Sequence, residues 1–128
     1  MNSLKLLTVL LLSTSSAFGA IHDSNLFTDY TLPANDDGST GNINIGFNIN
    51  FFGGLYSSLY VNNNGNVTFS SPMSTYTPFN IVTTGISMLA PFFADVDTRG
   101  AGSGLVQYGQ DTLNGHQVFG VNWFDVGN

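Results

Sequence analysis

Two aspartates one residue apart, in Asp95-Val96-Asp97, are the strongest chemical candidates in this chain. In an extended segment, residues two apart project to the same side. Asp95 and Asp97 can therefore offer carboxylate oxygens jointly to a hard cation such as Ca²⁺, with loop carbonyls completing roughly six to eight ligands. Asp36-Asp37 are candidate neighbours. A competing assignment needs no ion: one aspartate caps the turn Gly100 to Gly104 through backbone N–H groups, and the other pairs with Arg99. The spacing is not that of an EF-hand loop.

Other chemistry finds little support. The histidines are His22, in a polar N-terminal stretch, and His116, beside the turn glycine Gly115, and neither sits in a hydrolase motif. Serines are scattered through polar segments with no Gly-x-Ser-x-Gly elbow, and there are no cysteines. No glycine-rich loop carries the lysine that a phosphate cradle needs. Catalytic and cofactor-binding residues are therefore expected to be absent. Two binding features remain. Asn66-Val67-Thr68 reads as a glycan acceptor if the source is eukaryotic, although the cluster Asn62, Asn63, Asn64 and Asn66 is explained equally by turn geometry. Tyr56, Tyr60, Tyr76, Tyr108 and Trp123 are candidates for a sugar-stacking platform, against the alternative of cross-strand packing.

Charge narrows the partners. The chain has eight acidic and two basic side chains, for a formal charge of −6. Loss of Lys5 with an N-terminal leader takes this to −7 and leaves Arg99 as the sole cation. Gripping a phosphate backbone requires clustered Lys and Arg, so nucleic acid is excluded as a partner, and bare anionic lipid is disfavoured for the same reason.

The leader is read from Lys5, the apolar run Leu6 to Leu12, and the small residues Ala17 and Gly19 before an expected cleavage at Ala20. That run is too short for the ~20 residues of a membrane span. Residues 1–19 are thus a signal peptide and 20–41 a polar N-terminal arm with turn residues Pro33, Asn35 and Gly38. Residues 42–128 form a β domain. Ile43, Ile45, Phe47, Ile49 and Phe51 alternate with polar residues, the period of a strand with one buried face. Asn64-Gly65 between Leu55–Asn62 and Val67–Phe69 predicts a hairpin, with the asparagines at its polar tip. A long loop follows from Ser70 to Gly85. Ile86 to Phe93, interrupted by Pro91, predicts a strand buried on both faces that kinks or moves to a sheet edge at the proline. Leu105–Tyr108 and Gln117–Phe124 are further strands joined around Asn114-Gly115. With no helical periodicity, the expected class is all-β, an antiparallel two-sheet sandwich, with a closed barrel as the alternative.

The blocks Leu59 to Phe69 (LYVNNNGNVTF), Ala90 to Asp97 (APFFADVD) and Val106 to Tyr108, in that order, resemble nidogen-type extracellular domains. The resemblance extends to Asp36–Thr40, Ile43–Gly54 and Val118–Gly127. It implies an exported, non-catalytic adhesion or cell-matrix module whose partner is a matrix or surface polymer, protein or polysaccharide. It also implies a domain incomplete at its C-terminus, since the family continues into a further strand. A carbohydrate-binding module and a structural surface-layer or biofilm component are the alternatives.

Overall fold

The computed structural model describes Asp23 and residues 25–127. The expected signal peptide, its cleavage site and His22 lie outside the described residues. Seven strands form two antiparallel sheets: β1 (Tyr30–Thr31), β2 (Ile43–Phe51), β3 (Gly54–Asn62), β4 (Asn66–Thr68), β5 (Met88–Leu89), β6 (Gln107–Leu113) and β7 (His116–Asn122). The sheets have strand orders β2-β3-β4-β5 and β1-β6-β7. This is the all-β sandwich, and it is not closed into a barrel.

The buried cluster lies between the two sheets. Ile45, Leu59, Val61 and Val67 come from the larger sheet, with Phe69 just past β4, and Tyr108 comes from the smaller one, with Leu32 and Val106 flanking β1 and β6. Burying each large apolar side chain is worth about 1.5–3 kcal/mol, which lets a cysteine-free chain hold two short-stranded sheets together. Half-buried Phe119, Val121 and Trp123 pack against this cluster from β7 and the residue beyond it.

The alternation of β2 is realised with one interruption. Its pairing with β3 shifts between Asn44 and Ile49, and Gly46 within that interval has φ of 92°. Two hairpins close on two-residue turns with positive φ at both central positions. One is Asn114-Gly115 between β6 and β7, and the other is Phe52-Gly53 between β2 and β3.

Two expectations are corrected. Of Ile86–Phe93 only Met88–Leu89 is strand; Met88 is buried but Leu89 is 47% exposed. The segment lies at the sheet edge, as Pro91 foretold, but is not covered on both faces. Beyond Leu89 the chain leaves the ladder, and Phe93 and Ala94 donate their N–H groups to the carbonyls of Gly65 and Asn64 instead. The described part of the 20–41 arm is not free of the sheets. Tyr30 and Thr31 pair with β6, Leu32 is in the core, and isolated bridges join Asp36 to Asp97 and Ser39 to Asn62. Its polar composition hid one buried leucine and a set of backbone ladders.

Candidate functional site

The β3–β4 hairpin turns through Asn63-Asn64-Gly65, with Gly65 at φ 75°. Contrary to a solvent-facing polar tip, Asn62, Asn63, Asn64 and Asn66 are all buried, none more than 1% exposed. A buried carboxamide is costly unless its donors and acceptors are met, and here distant segments meet them. Asn62 Nδ2 donates to Asn66 Oδ1 at 2.7 Å and to Thr68 Oγ1 at 3.0 Å. Its Oδ1 accepts from Ser39 Oγ at 2.8 Å and from the Met73 N–H at 3.0 Å. Asn63 Nδ2 donates to the carbonyls of Asn35 and Val96. Asn64 Nδ2 donates to Asp37 Oδ1 at 2.7 Å, and Asn64 Oδ1 accepts the Val96 N–H at 2.9 Å. The indole of Trp123 donates to the Asn62 carbonyl. The hairpin is thus a hub that fixes residues 35–39, the start of the 70–87 loop, and the segment 93–98 around itself.

What the hub positions is acidic. Carboxylate oxygens of Asp36, Asp37 and Asp95 lie within 4.8 Å of one another. Asp97, the expected partner of Asp95, is engaged elsewhere: Arg99 donates from Nε and Nη2 to its two oxygens at 2.8 Å each. The same Nη2 reaches Asp36 Oδ2 at 2.6 Å. Arg99 holds the Asp97 carboxyl at about 2, below its ordinary 3.8, and the guanidinium pKa moves up in return. The Arg99 backbone N–H also donates to Asp97. The expected pair is thus divided: Asp97 is ion-paired with Arg99, and Asp95 groups with Asp36 and Asp37 instead. Asn63 Oδ1 is the one buried side-chain oxygen or nitrogen without a partner among the described residues. It belongs to the amide held between Asn35 and Val96, the neighbours of Asp36 and Asp95.

The aromatic candidates do not converge. Tyr56 stacks on Phe69 at 4.6 Å and donates its hydroxyl to Ser87 Oγ. Tyr108 is buried and stacks on Tyr30, and Trp123 meets Phe92 edge to face. Tyr60 is half-buried, which leaves Tyr76, on the loop after β4, as the exposed member of the five. His116 is exposed at the start of β7. Asn66 is fully buried, with its amide nitrogen donating to the Asn64 carbonyl, so a glycan there requires the hairpin to be open. Sequence reasoning missed the hub itself. Four asparagines in five positions exceed the one or two that a turn needs, and that surplus was the available signal.

The family model described as NIDO related matches residues 11–128, a run that takes in the Asp36–Thr40 turn, the hub, the Asp95–Asp97 block and both strands of the last hairpin. The chain belongs to the NIDO-related family. Nidogen-2 of Mus musculus is 34% identical over 116 residues, which is 85% of this chain and 8% of that protein. Alpha-tectorin of Mus musculus is 44% identical over 69 residues, 53% of this chain and 3% of that protein, and alpha-tectorin of Homo sapiens gives the same figures. This NIDO-related chain therefore spans less than a tenth of the length of these relatives. No solved structure matches it. Among the described residues, no helix is long and apolar enough to cross a membrane.

Proposed function

We propose that this NIDO-related chain is an extracellular adhesion module that binds a matrix or surface polymer without altering it chemically. The observation that carries the reading is family membership, with nidogen-2 aligned over 85% of the chain. The surface supports it. From Ser70 to Ile86 the chain forms a long connection in which every residue except Met73 and Phe79 is exposed, and none is charged. Its start is fixed to the hub through Met73 and Thr75, beside the acidic group. A rigidly rooted loop of this kind presents side chains that owe nothing to the core. The binding face is this loop together with the Asp95–Gly104 turn; the Asn62–Asn66 tip is withdrawn from it by burial.

Calcium has a place in the same reading. Asp36, Asp37 and Asp95 would hold the ion, and Asn63 Oδ1 is an unpaired buried oxygen on the amide wedged between their neighbours. Hard oxygen donors suit Ca²⁺. Bound calcium would fix the 35–39 and 93–98 segments against each other, raising the melting temperature by linkage.

Retention of the protein on extracellular polysaccharide or matrix preparations, compared with a variant whose residues 70–84 other than Met73 and Phe79 are replaced by Gly and Ser, tests the main claim. Loss of retention with an unchanged melting curve is expected. Turnover of a glycan or ester by the purified protein, or retention indifferent to the replacement, overturns it. Calorimetry with Ca²⁺ on the wild type and Asp95→Asn tests the ion separately.

A further inference from the structure

Where β2, an edge strand of the larger sheet, passes the β1 edge of the smaller one, the sandwich leaves a cleft of about 210 Å³. Its lining takes in Asp29 and Tyr30 at β1, Ile43 and Asn44 in β2, and Gly109 and Gln110 in β6. None of these residues belongs to the 70–86 loop or to the acidic group around Asp95.

Two glycines inside strands make room for the polar side chains of this cleft. At Gly46, where the β2–β3 pairing shifts and φ is 92°, an added Cβ would lie 2.6 Å from Oε1 of Gln110. At Gly109 a Cβ would collide with Oδ2 of Asp29, which accepts the Gln110 N–H at 3.1 Å. Glycine weakens a strand interior and marks a close approach, and an irregularity in a ladder re-aims side chains. Here both glycines serve one place: the Gln110 carboxamide lies across the Gly46 irregularity, and the Asp29 carboxylate lies over Gly109. Asn44 Oδ1 accepts the Gly46 N–H at 2.8 Å, which leaves its Nδ2 uncommitted. Among the described residues, that Nδ2, the Gln110 carboxamide, Asp29 Oδ1 and the Tyr30 hydroxyl have no hydrogen-bond partner. The Tyr30 ring is 62% exposed yet held in place, stacked on Tyr108 at 5.6 Å.

Uncommitted amide groups, one carboxylate oxygen and a fixed aromatic ring, beside the apolar Ile43 and Phe119, complement a molecule with hydroxyls on its rim and C–H groups on its faces. Other occupants fit worse. No Lys, Arg or His lines the cleft, so phosphate, sulfate or a uronate would meet the Asp29 carboxylate with nothing to offset it. A single carboxylate falls short of the oxygen set that a divalent cation takes. An acyl chain would bury the amides unpaired. The volume is also below the ~300 Å³ at which pockets for drug-sized ligands begin, and suits a single sugar ring.

We propose that this cleft is a carbohydrate subsite for one neutral pyranose unit. The sugar lies against Tyr30, its hydroxyls donate to Asp29 and Gln110, and Asn44 Nδ2 donates to it. The proposal goes beyond the matrix-binding reading and does not depend on the 70–86 loop.

NMR titration of isotope-labelled protein with D-glucose, D-galactose, D-mannose and N-acetyl-D-glucosamine should give saturable shifts of the Asn44 and Gln110 side-chain amides with at least one sugar. A single ring buries little area, so a dissociation constant on the order of 1 mM is expected. Gln110→Ala and Tyr30→Leu should each weaken binding at least about fivefold with the melting temperature little changed, since both side chains are exposed. The variant with the replaced 70–84 loop should bind the sugar as the wild type does, which separates this proposal from the matrix-binding claim. Absence of shifts with all four sugars, shifts confined to other residues, or an affinity indifferent to both substitutions overturns the proposal. So do shifts of the same two amides by inorganic phosphate or calcium chloride but by no sugar, which would make the occupant an ion.

Discussion

The side-chain oxygen of Asn64 accepts the backbone N–H of Val96 at 2.9 Å, across 32 residues of chain. Val96 is 2% exposed, so water does not reach that N–H to replace the acceptor. Asn64→Ala should therefore destabilise the domain by about 1–3 kcal/mol, the cost of stranding a buried donor, read from denaturant unfolding. Asn64→Asp keeps the acceptor but sets a carboxylate against Asp37, so its deficit should shrink as pH is lowered. A deficit independent of pH would show that the two side chains are not in contact.

Gly65 lies under the ring of Phe92; a Cβ at this position would sit 2.6 Å from the ring's outer carbon, and φ is 75°. Phe92 is 43% exposed and can swing away, but the backbone strain cannot be relieved. Gly65→Val should cost about 1–3 kcal/mol, and Gly65→Asn less, since asparagine tolerates this region. Equal effects of the two would place the penalty in the ring contact instead.

The sequence revealed most where local chemistry determined the outcome. The alternation of Ile43 to Phe51 and the Asn-Gly turns led to strands and hairpins found within a residue or two of their expected ends, except that β6 runs on to Leu113, five residues past the expected Tyr108. It failed where distant segments decide. Ile86–Phe93 looks like a buried strand because apolar composition does not say whether a second layer covers it. The 20–41 stretch looks like an arm because its pairings with β6, Asn62 and Asp97 leave no periodic trace. At the site, Asp95 and Asp97 share a spacing that suggests a shared ligand, yet Arg99, two residues on, claims Asp97. The burial of Asn62 to Asn66 was illegible because burying four carboxamides is favourable only when partners from residues 35–39, 73 and 94–96 arrive.

Acid should loosen the Asp36–Arg99 region. Arg99 holds the Asp97 pKa at about 2 against an ordinary 3.8. A depressed carboxyl contributes its stabilisation in full above its unfolded value and loses it as pH falls towards the folded one. The Asp97 contribution should thus vanish between about pH 4 and pH 2. The wild-type and Asp97→Asn melting temperatures should converge over that window, with the solvent-exposed pair giving a small difference at neutrality. A gap that widens on acidification would reverse the assignment.

Folded protein from a glycosylating host should carry no glycan at Asn66, as its amide nitrogen is committed to the Asn64 carbonyl in a site with no exposure. Intact-mass measurement of the soluble fraction checks this. A hexosamine-bearing species that unfolds with wild-type cooperativity would contradict the buried hub.

From Gly38 to Ala94 the chain has no Asp, Glu, Lys, Arg or His. One sheet with its loops therefore carries no fixed charge for salt to screen, while the residues around Arg99 do. The two ends of β3 consequently differ: acid acts on the Asp97–Arg99 pair near one end, whereas the residues around Phe52 at the other carry no charge.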